Sequence, residues 1–221
     1  MPVSVKILSI EPVTHNVRRY VLERPENFRF EPGQATDLSI DEDGFRDKKN
    51  PFTFTALNDA PNLEFTIKSY FDHEGVTKHL WDLKPGARLI LRDPWGTITY
   101  KGPGAFIAGG AGVTPFIAIL RDLHRKQKLK DHTLIVSNRT EADIILRKEF
   151  EAMPGLKIIW TVTDDPGSKL RHDRIDRNFL QQEIADFSRH FYLCGPDPMV
   201  NQLRETLKGL GANPDSVTWE K

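Results

Sequence analysis

Through much of the first hundred positions, apolar and polar residues alternate with a period of two. Val3-Ser4-Val5-Lys6-Ile7-Leu8 alternates strictly, as a strand with one buried face should. Residues 17–22 form a second strand candidate. Pro32-Gly33 signals a turn before a third over 34–40. Residues 41–50 are charged and loop-like, and Asp41-Glu42-Asp43 followed by Arg46, Lys48 and Lys49 suggests a solvated loop. Phe52-Thr53-Phe54-Thr55 and Leu63-Glu64-Phe65-Thr66-Ile67 alternate again. A short helix fits 76–83 and is stopped by Pro85-Gly86, with one more strand at 88–91. Short strands at this spacing predict a small antiparallel β-barrel.

The pattern changes near Gly102-Pro103-Gly104, which predicts a boundary between a unit over 1–102 and one over 103–221. Beyond it strands and helices alternate. Strands at 105–108, 133–137, 156–163 and 190–194 precede helices at 115–126, 143–152, 176–184 and 198–210. Val217-Thr218-Trp219 reads as a last strand. This is the pattern of an α/β, doubly wound parallel sheet. Ligands of such sheets bind beyond the carboxyl ends of the strands. The glycine-rich 109–112, Ser137-Asn138-Arg139 and Cys194-Gly195-Pro196 all fall there.

Of these, the stretch from Phe106 to Ile117 is the most informative. An apolar run ends in Gly109, Gly110 and Gly112 and opens a helix whose apolar face is Phe116, Ile117, Ile119, Leu120 and Leu123. Thr114 fits an N-cap, and Pro115 fits the first helical position. Glycines admit a close ligand, and a helix N-terminus favours a phosphate. The form is neither the three-glycine dinucleotide fingerprint nor a P-loop. Alone it equally describes a tight turn in any α/β domain.

Composition narrows the function classes. Lys+Arg and Asp+Glu both number 31, so no basic excess argues for nucleic acid. No apolar run is long enough for a membrane span, and the N-terminus lacks a signal-peptide layout. The single cysteine, Cys194, excludes an intramolecular disulfide and a cluster held by four of the chain's own thiolates. It suggests a reducing, cytoplasmic setting. The seven histidines are scattered without metal-ligand spacing.

Other stretches carry chemistry of their own. Asn50-Pro51-Phe52-Thr53 offers a flat aromatic and an oriented hydroxyl, which suit a flavin ring. An ordinary strand with Phe52 and Phe54 in the core is the alternative. Gly75-Val76-Thr77 opens the short helix with free N–H groups, a second phosphate site or a plain cap. Ile67 and Lys68 lie just upstream, Lys68 able to supply charge. Cys194-Gly195-Pro196 is a tight strand-to-helix turn, with a thiol that is either activated or inertly buried. Ser137 and Arg139 lean towards a 2′-phosphate, unless Arg139 is solvated or paired with Glu141 or Asp143. Asp164-Asp165-Pro166-Gly167 reads as a polar turn.

Taken in order, these stretches resemble the ferredoxin–NADP(H) reductase superfamily, over essentially the whole chain. The resemblance implies a flavin-binding barrel followed by a nicotinamide-binding α/β domain, without a fused iron–sulfur domain. The family's Arg-x-aromatic-Ser/Thr motif corresponds to Asn50, Pro51, Phe52 and Thr53. It implies that Phe52 lies on the flavin and Thr53 hydrogen-bonds near N5. The Arg that holds the flavin phosphate is Asn50 here, leaving Lys49 or Lys68 as substitutes. Gly75, Val76 and Thr77 match the pyrophosphate-binding helix start. Gly110, Gly112, Thr114 and Pro115 match the nicotinamide-domain loop, and Cys194, Gly195 and Pro196 the turn beside the nicotinamide. Many members end in Glu-x-aromatic; here Trp219-Glu220-Lys221 stops one residue short of that aromatic, so either the shield is absent or Trp219 supplies it from another angle, with plain surface placement of Trp219 and Glu220 as the alternative.

The resemblance therefore implies a monomeric, FAD-dependent NAD(P)H oxidoreductase. Thr53, Cys194 and Glu220 would surround the hydride path. The acceptor would be flavodoxin, ferredoxin or another redox partner. A ferric-chelate or siderophore reductase, and a non-catalytic nucleotide-sensing subunit, are the alternatives.

Overall fold

The computed structural model describes residues 2–72, 74–96 and 98–219. Strands β1 (Val3–Thr14), β2 (Val17–Leu22), β3 (Ala35–Ile40), β4 (Asn50–Thr53), β5 (Leu63–Lys68) and β6 (Arg88–Leu91) form an antiparallel sheet. Their order is β4-β3-β6-β1-β2-β5. The outer two meet where Phe54 bridges Phe65 and the Thr55 N–H donates to the Glu64 carbonyl at 2.9 Å. The sheet thereby curls into a barrel, as the strand spacing predicts.

Strict alternation in β1 stops after Leu8 although the strand continues to Thr14. The cause is irregular pairing with β2 between Ile7 and Ser9 and again between Pro12 and Thr14. Such bulges bend a strand and change which residues face inward. They let β1 pair with β6 through residues 3–6 and with β2 from Ile7 onward. Val5, Ile7, Tyr20, Leu22, Leu38, Phe54 and Phe65 fill the barrel. Helix α1 (Val76–Asp82) covers one side, burying Val76 and Leu80. The Tyr20 hydroxyl donates to the Leu80 carbonyl at 3.1 Å, and burial pushes its pKa up to about 12.

Strands β7 (Gly104–Gly109), β8 (Thr133–Asn138), β9 (Lys157–Val162), β10 (His190–Cys194) and β11 (Val217–Trp219) form a parallel sheet, order β11-β10-β7-β8-β9. Helix α2 (Thr114–Arg125) and the short α3 (Arg147–Glu151) pack on one face. Helices α4 (Arg177–Glu183) and α5 (Asp197–Gly209) pack on the other. From β7 the chain winds outward through β8 and β9, then returns to β10 on β7's opposite side. The neighbouring carboxyl ends of β7 and β10 thus form a topological switch point.

The helix expected over 143–152 is the main departure. A 3₁₀ turn at Glu141–Asp143 comes first, closed by a Thr140–Asp143 capping box. Leu146 then takes a left-handed backbone (φ 52°), and only Arg147–Glu151 is helical. Ile144 and Ile145 are buried in the core beneath α2, so tertiary packing overrides their local propensity.

The expected boundary region is pinned rather than loose. The Tyr192 hydroxyl accepts from the N–H groups of Lys101 (2.9 Å) and Gly102 (3.0 Å) and lies 2.8 Å from the Gly102 carbonyl, to which it donates. Val17 and Ile98, from the barrel half, enter the core beneath α2. Among the described residues, no helix is long and apolar enough to cross a membrane.

Candidate functional site

The glycine turn after β7 is a 3₁₀ turn, Gly110–Val113, that runs directly into α2. Gly110 has φ 52° and open space where a Cβ would stand. Gly112 is glycine for a different reason: a Cβ there would lie 2.2 Å from the Cys194 carbonyl oxygen. The turn after β7 therefore rests directly on the turn after β10. What the sequence suggests as room for a ligand is, at Gly112, room for the neighbouring loop.

Thr114 departs from its expected role. It is the first residue of α2 rather than its N-cap, and Pro115 is the second. Its hydroxyl donates to the Ala111 carbonyl at 3.0 Å instead of accepting from the helix. The preceding 3₁₀ turn continues into the helix, leaving no extended residue to act as a cap.

A cavity of about 340 Å³ joins the two halves of the molecule. Asn50, Pro51, Phe52, Thr53, Ile67, Lys68 and Thr77 line it from the barrel, and Thr114, Cys194 and Gly195 from the switch point. Phe54 lies fully inside the barrel core, whereas Phe52 packs against that core while lining the cavity. Thr53 is only 9% exposed. Cys194, half-buried, ends β10 beside Gly195, and Pro196 leads into α5.

A second groove, about 650 Å³, shares Asn50, Tyr70 and Thr77 with the first. Its wall includes Gly75, Val76, Lys48, Lys49 and Lys78. No side chain caps α1 at Gly75, and its first turn holds no acidic residue. Backbone N–H groups at the start of α1 are thus available to an anion. Glu74 and Asp82 also line the groove, Glu74 pairing with Lys78. Of the two expected substitutes for a phosphate-binding Arg, Lys49 lies in this groove with Lys48. Lys68 lies in the smaller cavity, 5.7 Å from the Tyr70 ring centroid.

Other candidates stand apart from the cavity. Ser137 is at the carboxyl end of β8, paired with Gly109. Arg139 is 79% exposed and bonds Asp164 at 2.6 Å, not Glu141 or Asp143. Glu141 is bound by Arg147 and Asp143 by the Thr140 box, so both are already occupied. Asp164 belongs to what the sequence presents as a mere polar turn. Trp219 corrects its expected role as a shield: it packs against the α5 side, with the Arg204 guanidinium 3.7 Å from its ring centroid. Parallel pairing with β10 sets that face. Glu220 lies outside the described residues.

Two aromatics escape the sequence reading. Trp95 and Tyr70, 42% and 46% exposed, both line the smaller cavity. Trp95 follows the strand at 88–91, in a stretch with no alternating pattern, and exchanges backbone hydrogen bonds with Ala35 at 2.7 and 2.8 Å. Tyr70 falls just past the end of an alternating strand. Large aromatics left exposed in a concavity are a signal that only the fold supplies.

The arrangement can hold a flat ring between the barrel and the sheet, an anion at α1, and a second nucleotide at the switch point. Residues 4–100 match the oxidoreductase FAD-binding domain and 106–205 the oxidoreductase NAD-binding domain. NADH-cytochrome b5 reductase 2 of Mycosarcoma maydis is 27% identical, the match covering 91% of this chain but 63% of that protein's length. Ferredoxin–NADP reductase B of Sorangium cellulosum is also 27% identical, over 94% of this chain and 92% of its own. Among solved structures, a ferredoxin NADP+ reductase from Neisseria gonorrhoeae with bound FAD and NADP superposes with a TM-score of 0.87. It is 21% identical and covers 99% of this chain and 98% of its own, a likeness of fold.

Proposed function

The chain belongs to the ferredoxin-reductase-like superfamily, pairing an FAD-binding with an NAD-binding oxidoreductase domain, and on that premise we propose a flavin-dependent NAD(P)H oxidoreductase. We assign the flavin side to residues 1–102 and the nicotinamide side to 103–221. The observation that carries this reading is that Thr53 and Cys194, from separately built halves, line one cavity.

The residues present fit FAD. Phe52 and Trp95 offer flat faces in the cavity, and Thr53 a hydroxyl. The start of α1 with Lys48 and Lys49 suits the diphosphate. When bound, the flavin supplies a hydride-accepting nitrogen and, once reduced, a store of electrons for an acceptor. Phe52 would support the ring by stacking, and Thr53 would offer its edge a hydrogen bond. Gly110 and the start of α2 receive the nicotinamide nucleotide's phosphates. The Cys194–Gly195 turn seats the nicotinamide. Facing supports of this kind would bring two bound rings together and exclude water from between them. Hydride transfer itself requires no acid or base from the protein. We take the acceptor to be a ferredoxin, flavodoxin or other redox partner, which the names of the relatives support.

Purified protein is expected to be yellow, and its flavin to be bleached by NADH or NADPH without oxygen. Extracting the flavin identifies it as FAD or FMN. Colourless protein that cannot be reconstituted contradicts the reading.

Two further outcomes follow. Replacing both Lys48 and Lys49 by Gln should weaken FAD binding about tenfold in low salt, and less in high salt, because these cations are screened. Titrating apo-protein with FAD at two ionic strengths checks this. Asp164→Asn should release Arg139 and raise the NADPH-to-NADH preference about two- to fivefold, the worth of one exposed ion pair. Parallel kcat/KM values for the two nucleotides check it.

A further inference from the structure

Helix α2 begins in the cavity, at Thr114, and two turns later carries Arg121 to the seam between the halves. There the Arg121 guanidinium is 17% exposed and reaches both sides. On the barrel it donates to the Thr55 carbonyl at 2.7 Å and to a Glu64 carboxylate oxygen at 2.6 Å. On its own half it forks onto Glu149 of α3, at 2.6 and 2.9 Å. Burial opposes its charge, but Glu149 and Glu64 outweigh that and raise its pKa above the ordinary value.

The barrel contacts lead straight to the cavity wall. Thr55 lies two residues beyond Thr53, and Glu64 two before Thr66; Thr53 and Thr66 both line the cavity. The Thr66 hydroxyl donates to the Thr55 hydroxyl at 3.4 Å, which donates to Glu64 at 2.8 Å. A continuous hydrogen-bonded path therefore runs from one wall of the cavity to the helix that starts in the other. Two other ion pairs across the seam are more exposed, Arg125–Asp59 at 48% and 68%, and His15–Asp143 with His15 at 59%; the buried Tyr192 hydroxyl and the Tyr100–His132 pair tie only residues 100–102, next to the boundary in the chain. Exposed pairs hold little. The apolar packing of Val17 and Ile98 under α2 is non-directional and fixes no register.

We propose that Arg121 is a positioning residue that holds the barrel wall of the ring cavity in register with the switch-point wall. It touches neither ring; it sets the distance between their supports. The proposal rests on the flavin reading for its catalytic consequence, but its mechanical part does not.

The test uses the whole chain with and without FAD. In Arg121→Met, flavin bleaching at saturating NAD(P)H should slow about 100-fold, the cost of an ångström-scale misplacement, while FAD content holds. Arg121→Lys keeps the charge but not the fork, and should fall between. In FAD-free protein, Cys194, the chain's only cysteine, reports cleft opening. It should react faster with a small thiol reagent in Arg121→Met than in wild type. Glu64→Gln loosens the cross-seam tie and should also speed that reaction. Glu149→Gln loosens only a brace within one half and should leave it near wild type. A purely structural role predicts that both Gln variants change Cys194 reactivity in proportion to lost thermal stability, and that result overturns the proposal. So does an unchanged bleaching rate in folded, FAD-loaded Arg121→Met. If wild type takes up no flavin, the flavin reading fails, while Cys194 reactivity still decides whether Arg121 holds the seam.

Discussion

Gly112→Ala is expected to leave a protein that still binds flavin but is bleached by NAD(P)H about 100-fold more slowly. The added Cβ would meet the Cys194 carbonyl oxygen at 2.2 Å. The atom it meets is backbone, so no side chain can swing away. One of the two turns at the switch point must shift. Overpacking of this kind costs about 1–3 kcal/mol or more in stability. The larger effect is on function, because the displaced turns seat the nicotinamide nucleotide, and an ångström of displacement slows transfer about 100-fold. Thermal unfolding and anaerobic bleaching of the FAD-loaded variant measure the two effects separately. Gly211→Ala, beyond α5 and lining neither cavity, is the control: it meets no atom and carries only a left-handed backbone penalty of about 1–2 kcal/mol. Wild-type bleaching and stability in Gly112→Ala would show that the two turns do not set the site.

The second large effect is at Thr53. This residue is 9% exposed at the end of β4, with the cavity against it. Valine matches its shape and removes only the hydroxyl. In a site sheltered from water, one oriented hydrogen bond aimed at the reacting atoms is worth about 100- to 1,000-fold in rate. Thr53→Val should therefore slow bleaching at saturating NAD(P)H by at least about tenfold, with FAD content and thermal stability close to wild type. Thr53→Ser restores the hydroxyl and should recover most of the rate. A loss confined to KM, or an equal loss in both variants, would assign Thr53 to packing instead.

Much of this architecture is legible in the chain. The strands at 17–22, 190–194 and 217–219 fall where alternation and apolar runs put them. Local rules suffice there, since each run is short and has clear ends. They fail in β1, where bulges shift the register, and around Leu146, where Ile144 and Ile145 are drawn into the core. The site divides in the same way. Phe52, Thr53, Thr114 and Cys194 are visible as motifs, and the fold brings them to one cavity. Trp95, Tyr70 and Arg121 carry no local signature, because their neighbours in space lie far along the chain. Arg139's partner, Asp164, is 25 residues away on the next strand's loop, beyond the reach of any local pairing rule.

The central claim is that a ring held by the barrel lies directly against a nicotinamide seated at the carboxyl ends of β7 and β10. Deuterium placed on either face of C4 of the nicotinamide tests it, with anaerobic bleaching of the bound flavin followed for each. Direct transfer across the cavity predicts slowing for one face only. Equal rates for both faces, or no bleaching at all, would contradict it.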